Sequence, residues 1–141
     1  VNRFETINAI TENLRGLLEK EGLYVERDNF GEDKNAPAGL FPSAQLYYEG
    51  EDFEYTHGQR AGYAEATFRV RLLLRKRDVQ EMIAEEQRWT HRIRDAISVN
   101  ALNMGAVAAS TPVSRVETRS VKVERKGQVS RLDYVLVIRY R

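Results

Sequence analysis

The residues of this chain that could do chemistry are few and scattered. Cys is absent, which excludes a disulfide framework and any thiolate zinc or redox site. His57 and His91 are its two histidines. His57 falls in an acidic, Gly-rich stretch and His91 on the outer half of a predicted helix, and neither has a nucleophile close in sequence. Adjacent carboxylates occur at Glu32-Asp33, Glu51-Asp52 and Glu85-Glu86. A general acid or base needs a cleft that tunes its pKa, whereas these pairs fall in predicted loops or on a helix. Gly58 to Gly62 lacks both the Lys-Ser/Thr ending and the following helix of a phosphate-binding loop. The acids around Gly31, from Asp28 to Asn35, lack the ligand spacing and final Glu of a calcium loop. The expectation is a protein with no catalytic residue, no cofactor and no metal, and hence not an enzyme.

The basic residues are more ordered. Arg69, Arg71 and Arg75 lie along one face of a predicted strand. Arg115, Arg119, Lys122, Arg125 and Lys126 follow on a second strand and its turn, and Arg131, Arg139 and Arg141 on a third. Two readings stay open. These are ordinary charged outer faces matched by Glu65, Glu117 and Glu124, or they form a wall facing a partner subunit or passing nucleic acid. Basic residues number 22 and acidic ones 21, for a net charge of +1, which argues against a general nucleic-acid binder. Tyr134 and Tyr140 share the phase of Leu136 and Ile138, so core packing is expected of them rather than base stacking.

The elements that must position these residues are legible in the hydrophobic periodicity. With 141 residues the chain is one domain's length, and a single domain over 1–141 is expected. Phe4, Ile7, Ile10, Leu14, Leu17 and Leu18 recur at helical spacing, with Asn2 and Glu5 suited to the N-cap and N3 positions and Gly22 to a C-terminal cap. A helix is predicted from about Asn2 to Glu21. Leu23 to Arg27 is a short strand candidate, Asp28 to Pro42 a loop, and Ala44 to Glu49 a strand. Gly50 to Gly62 is either a loop tip or an extended hairpin arm. Ala64 to Arg75 alternates strictly: Ala66, Phe68, Val70, Leu72 and Leu74 on one face, polar residues and Leu73 on the other. Asp78 starts a second helix with Glu81 in capping-box position. Its inner stripe is Val79, Met82, Ile83, Glu86, Trp89, Ile93, Ala96 and Ile97. Ser98 to Pro112 carries no charge and reads as a long loop. Arg115 to Lys126 and Val129 to Arg141 form a terminal hairpin around Gly127-Gln128. The phase change between Val116/Thr118 and Val121/Val123 predicts a bulge near Arg119-Ser120. No apolar run reaches the roughly 20 residues of a membrane span, and no signal-peptide pattern is seen. A soluble protein of a reducing compartment is expected.

The order helix, strand pair, helix, terminal strand pair covers nearly the whole chain. In this order, in the run Ala66-Thr-Phe-Arg-Val-Arg-Leu-Leu-Leu-Arg leading to a helix with Trp89 and Ile93, and in the ending Leu132-Asp-Tyr-Val-Leu-Val-Ile-Arg-Tyr, the chain resembles the tail-terminator (tail-completion) and related minor tail proteins of long-tailed bacteriophages. The resemblance implies an α/β (α+β) fold: a mixed, mostly antiparallel sheet of four to six strands with two main helices on one face. It also implies a homo-hexameric ring that caps the finished tail tube, stops its polymerisation and offers the head-joining surface. Such a ring is heterologous. Its partners would be other copies of itself, the tail tube protein and the head–tail connector protein, with DNA only in passage and no membrane. The protein would sit in the virion, at the tail end or neck, after assembly in the bacterial host cytoplasm. On this reading the long loops carry the assembly contacts: Phe53 and Tyr55 in one, Leu102, Met104 and Val107 in the other. Arg69, Arg71 and Arg75 are the channel-facing or subunit-contact candidates. The competing readings are a neck or head-completion connector, a small nucleic-acid-binding α/β domain, and an enzyme of ferredoxin-like shape.

Overall fold

The structure is a computed structural model that describes residues 3–25, 42–54, 62–75, 78–100 and 113–140. Chain order is helix α1 (Arg3–Lys20), strands β1 (Tyr24–Val25), β2 (Ser43–Phe53) and β3 (Ala64–Arg75), helix α2 (Val79–Val99), and strands β4 (Val113–Lys126) and β5 (Val129–Tyr140). The five strands form one sheet in the order β1-β2-β3-β5-β4. β1 runs parallel to the start of β2, and every other neighbouring pair is antiparallel. The fold is therefore α+β with a mixed, mostly antiparallel sheet, as the sequence leads one to expect.

Alternation in β3 and β5 decides which face holds the core. Ala66, Phe68, Val70 and Leu72 of β3 pair with Ile138, Leu136, Tyr134 and Leu132 of β5, and all eight are fully buried. Onto this face pack Ile10, Leu14 and Leu18 of α1 and Trp89, Ile93 and Ile97 of α2. Both helices thus cover the same side. Tyr134 and Tyr140 are core residues, and the Tyr134 hydroxyl donates to the Trp89 carbonyl at 2.8 Å. That bond ties the middle of α2 to the central strands. Burial raises the Tyr134 phenol pKa above its ordinary value, and a bond to Thr90 opposes this only in part.

Local signals set the element ends. Gly22 closes α1 at φ 91°. Its N–H donates to Glu19 O and the Leu23 N–H to Leu18 O, a Schellman closure whose left-handed residue favours Gly. Its apolar clasp is Leu18 and Leu23, both buried. Asp78 caps α2 by accepting from the Gln80 and Glu81 N–H groups, which satisfies donors that the first turn leaves without helical partners. The bulge predicted near Arg119-Ser120 is present as a register shift between Thr118 and Ser120.

Several expectations need correction. β2 does not end at Glu49 but continues to Phe53, so the Gly50–Gly62 stretch begins as a hairpin arm. Gly50, at φ 107°, lies within a register shift between Tyr48 and Glu51. The strand bends there and resumes, and the Glu54 N–H donates to Tyr63 O at 2.9 Å. α2 runs on through Ser98 and Val99, which were expected in the loop. Phe4, Val79 and Ile83 fit the inner stripes by spacing, yet all are exposed. They lie near helix starts, where a stripe can extend beyond the surface it packs on.

Candidate assembly surface

On the sheet face away from the helices, the strand registers bring side chains of opposite charge together. Arg71 donates through Nε to Asp133 Oδ1 at 2.9 Å and is only 4% exposed. Its guanidinium and that of Arg69 lie 5.5 and 4.5 Å from the centre of the Tyr47 ring, within cation–π range. Arg69 also pairs with Glu49 at 2.7 Å. Arg139 stacks on Tyr63 at 4.3 Å and pairs with Glu54 at 3.0 Å. Arg115 reaches Glu65 at 3.5 Å, and Arg131 pairs with Glu124. Of the three arginines singled out from sequence, Arg69 and Arg71 are thus brought together over Tyr47. Arg75 lies exposed at the end of β3. A channel role for Arg71 requires that its pair with Asp133 face the channel as a pair.

A second charged group joins α2 to β4 and β5. Glu86 is 3% exposed. It accepts from Arg125 Nε at 2.8 Å and from the Ser130 hydroxyl. Burial pushes its carboxyl pKa up, but the hydrogen bonds from Arg125 and Ser130 and the Arg125 charge outweigh burial and hold it below the usual value. Reciprocally, the Glu86 bond raises the Arg125 guanidinium pKa. The carboxylate is fully engaged by these partners, so it acts as a strut between helix and sheet.

A groove of about 690 Å³ lies between the first turns of α1 and strands β2, β3 and β5. Phe4, Ile7, Leu46, Phe53 and Phe68 supply most of its apolar lining, with Tyr48 and Glu51 on the wall. Phe4 is 73% exposed and Phe53 52%. Tyr48 packs edge-on against Phe68 with ring centres 5.6 Å apart. Its hydroxyl donates to Glu51 Oε2, while the Tyr140 hydroxyl donates to the other Glu51 oxygen. Burial, the Glu51 bond and the Glu51 charge, in that order, push the Tyr48 phenol up to about 12. The Glu51 carboxylate is clasped by two phenols. It pins the resumed half of β2 to β5 and leaves the groove a mainly apolar trough, suited to holding an apolar side chain or segment.

Phe53, expected in a loop, is the last residue of β2 and lines the groove with its side chain exposed. Tyr55, Leu102, Met104 and Val107 lie outside the described residues, as does His57. His91 is exposed on α2. Sequence reasoning missed Phe4, Tyr48 and Glu51 as parts of this surface. Phe4 fits the helical stripe, and Glu51 gains its role only from a tyrosine 89 residues away. No group of His, Cys, Asp and Glu able to hold a metal occurs among the described residues, and no described helix is long and apolar enough to cross a membrane.

No protein-family model matches the chain, and no curated protein matches it. Among solved structures it is similar in outline to a chain of the virion of a native gene transfer agent particle. The two share 15% identity at a TM-score of 0.45, over 93% of this chain and 90% of that one. An overlap this loose carries no functional assignment.

Proposed function

We propose that the chain is a structural protein of a phage-like virion that caps the completed tail tube as a homo-hexameric ring, stops tube polymerisation and provides the head-joining surface. The observation that carries this reading is the apolar groove rimmed by Phe4 and Phe53. Large aromatic side chains held exposed around a concave trough mark a protein-docking surface. The reading is also supported by the element order behind the tail-terminator resemblance and by the engagement of the site's carboxylates in structural bonds. Function then lies in surfaces rather than in a reaction. The groove takes an apolar segment of a neighbouring virion protein, either the tail tube protein or the next subunit, and DNA only passes through the ring.

The test is deletion of the gene from the genome that encodes it, with negative-stain microscopy of the particles. Overlong tubes, or tubes not joined to heads, are expected. Tails of normal length that fail to join heads would assign the protein to the neck instead. Intact infectious particles would overturn both. Separate deletion of residues 55–61 and of 101–112, which spares β2 and α2, tests the loop contacts. If both shortened proteins still terminate tails, the loops are not the contact surfaces.

A further inference from the structure

β4 is an edge strand: among the described residues no strand pairs with its outer side. An open edge this long is a template for pairing with another chain. It is also charged and bulged, the usual protection against such pairing. The pattern of those charges, however, is not random. We infer that the β4 edge pairs antiparallel with the β4 edge of a second copy of this chain, about a two-fold axis at Arg119-Ser120.

The bulge supplies the argument. In antiparallel pairs, directly opposite residues point to the same face. In β4, Arg115 and Glu117 pair with Arg139 and Val137 of β5, on the face away from the helices. Val116 and Thr118 pair with the core residues Ile138 and Leu136. Beyond the register shift the parity inverts: Lys122 and Glu124 lie opposite Asp133 and Arg131, while Val121 and Val123 lie opposite the core residues Tyr134 and Leu132. A two-fold centred on the bulge therefore matches faces. It sets Arg115 opposite Glu124 of the second copy, Val116 opposite Val123, Glu117 opposite Lys122 and Thr118 opposite Val121. Each of these four charged residues meets its opposite and symmetry repeats each pair, while Arg119, which pairs with Glu117 of its own chain, lies at the axis opposite Ser120.

Neighbouring registers are rejected. A slip of two residues one way sets Arg115 opposite Lys122, and a slip the other way sets Glu117 opposite Glu124. Like charges directly opposite are unfavourable, so the pattern admits this register and resists its neighbours, and it also discourages foreign strands.

The residues concerned are accessible for such a contact. Lys122, Val123 and Glu124 are exposed, as is Arg115, whose pairs with partly buried Glu65 and with Glu117 span 3.5 and 3.7 Å. The contact is isologous and closes at two copies. It describes the chain free in solution and does not depend on the proposed place in a tail.

The experiment is sedimentation equilibrium of the purified full-length chain, with circular dichroism to check folding. A dimer is expected, weakened by added salt. Glu117→Lys and Lys122→Glu should each weaken it by about tenfold or more, because symmetry places two repulsive pairs in each variant. The double variant E117K/K122E should restore it to within about threefold of the original. Arg115→Glu with Glu124→Arg provides an independent swap should either single variant misfold. A chain monomeric at all concentrations, an oligomer unaffected by both reversals, or a double variant without rescue would each overturn the inference. Those results leave the tail phenotype of the gene deletion unaffected, so the two proposals fail separately.

Discussion

At the scale of single residues, the structure turns isolated carboxylates into struts. Glu86 is buried with Arg125 and Ser130 as partners. Arg125 is about half exposed, so removing Glu86 leaves that guanidinium solvated, and the main cost is the buried Ser130 hydroxyl losing its acceptor. Glu86→Ala should lower stability by about 1–2 kcal/mol in urea unfolding, and Glu86→Gln by less, since it keeps acceptor capacity. The Glu86 carboxyl is held below its ordinary value in the folded state. Its contribution is therefore complete above the unfolded carboxylate pKa, about 4.3, and is lost as pH falls through the lower folded value. The stability gap between the native chain and Glu86→Gln should accordingly close on going from pH 6 to strongly acidic solution. Tyr48 works in the other direction. Its phenol is pushed up to about 12, so its contribution is complete below about 10, the unfolded value, and is lost as pH rises through the folded one. Tyr48→Phe should flatten the alkaline decline in stability, read from urea midpoints between pH 8 and pH 11.

At the scale of elements, a local cap starts α2 and a buried aromatic side chain anchors the middle of the sheet. Asp78→Ala removes the acceptor for the Gln80 and Glu81 N–H groups and should cost about 1 kcal/mol. Phe68 is fully buried in the core on the helix-covered face of the sheet and packs against Tyr48. Phe68→Ala should cost about 3–5 kcal/mol and lower the melting temperature by far more than the cap variant does. A thermal melt of the two variants side by side checks both values. If Asp78→Ala proved as harmful as Phe68→Ala, the start of α2 would be carrying more of the fold than its exposed cap suggests.

At the scale of the whole molecule, the groove has a buried floor shared with the core and an exposed aromatic rim. The core joins the helices to one face of the sheet, whereas Phe4 and Phe53 stand exposed on the groove rim. Replacing both rim residues by Ser should leave the urea midpoint within the range of ordinary surface substitutions, about 0.5 kcal/mol each. It should nevertheless abolish complementation of the gene deletion. A double variant that complements fully would remove the groove from the assembly contacts.

What the sequence determined by itself were the features encoded locally: the strict alternation of Ala64–Arg75, the Asp78 cap, the Gly22 closure and the bulge at Arg119-Ser120. Each depends on residues within a few positions of one another, so period and cap chemistry suffice to read them. Tertiary structure decided the rest. Periodicity shows that Phe4, Val79 and Ile83 share a face with core residues. It does not show where the surface beneath that face ends. The charge on Arg71 is legible in the sequence, but its burial against Asp133 follows from strand order, which joins β3 to β5 and not to β4. Glu51 looks like an ordinary surface carboxylate, and Glu86 falls on the inner stripe of α2 with no visible partner, until the fold brings Tyr140 and Arg125 to them across 89 and 39 residues. Contacts at such separations depend on how elements stack, and no local pattern encodes that.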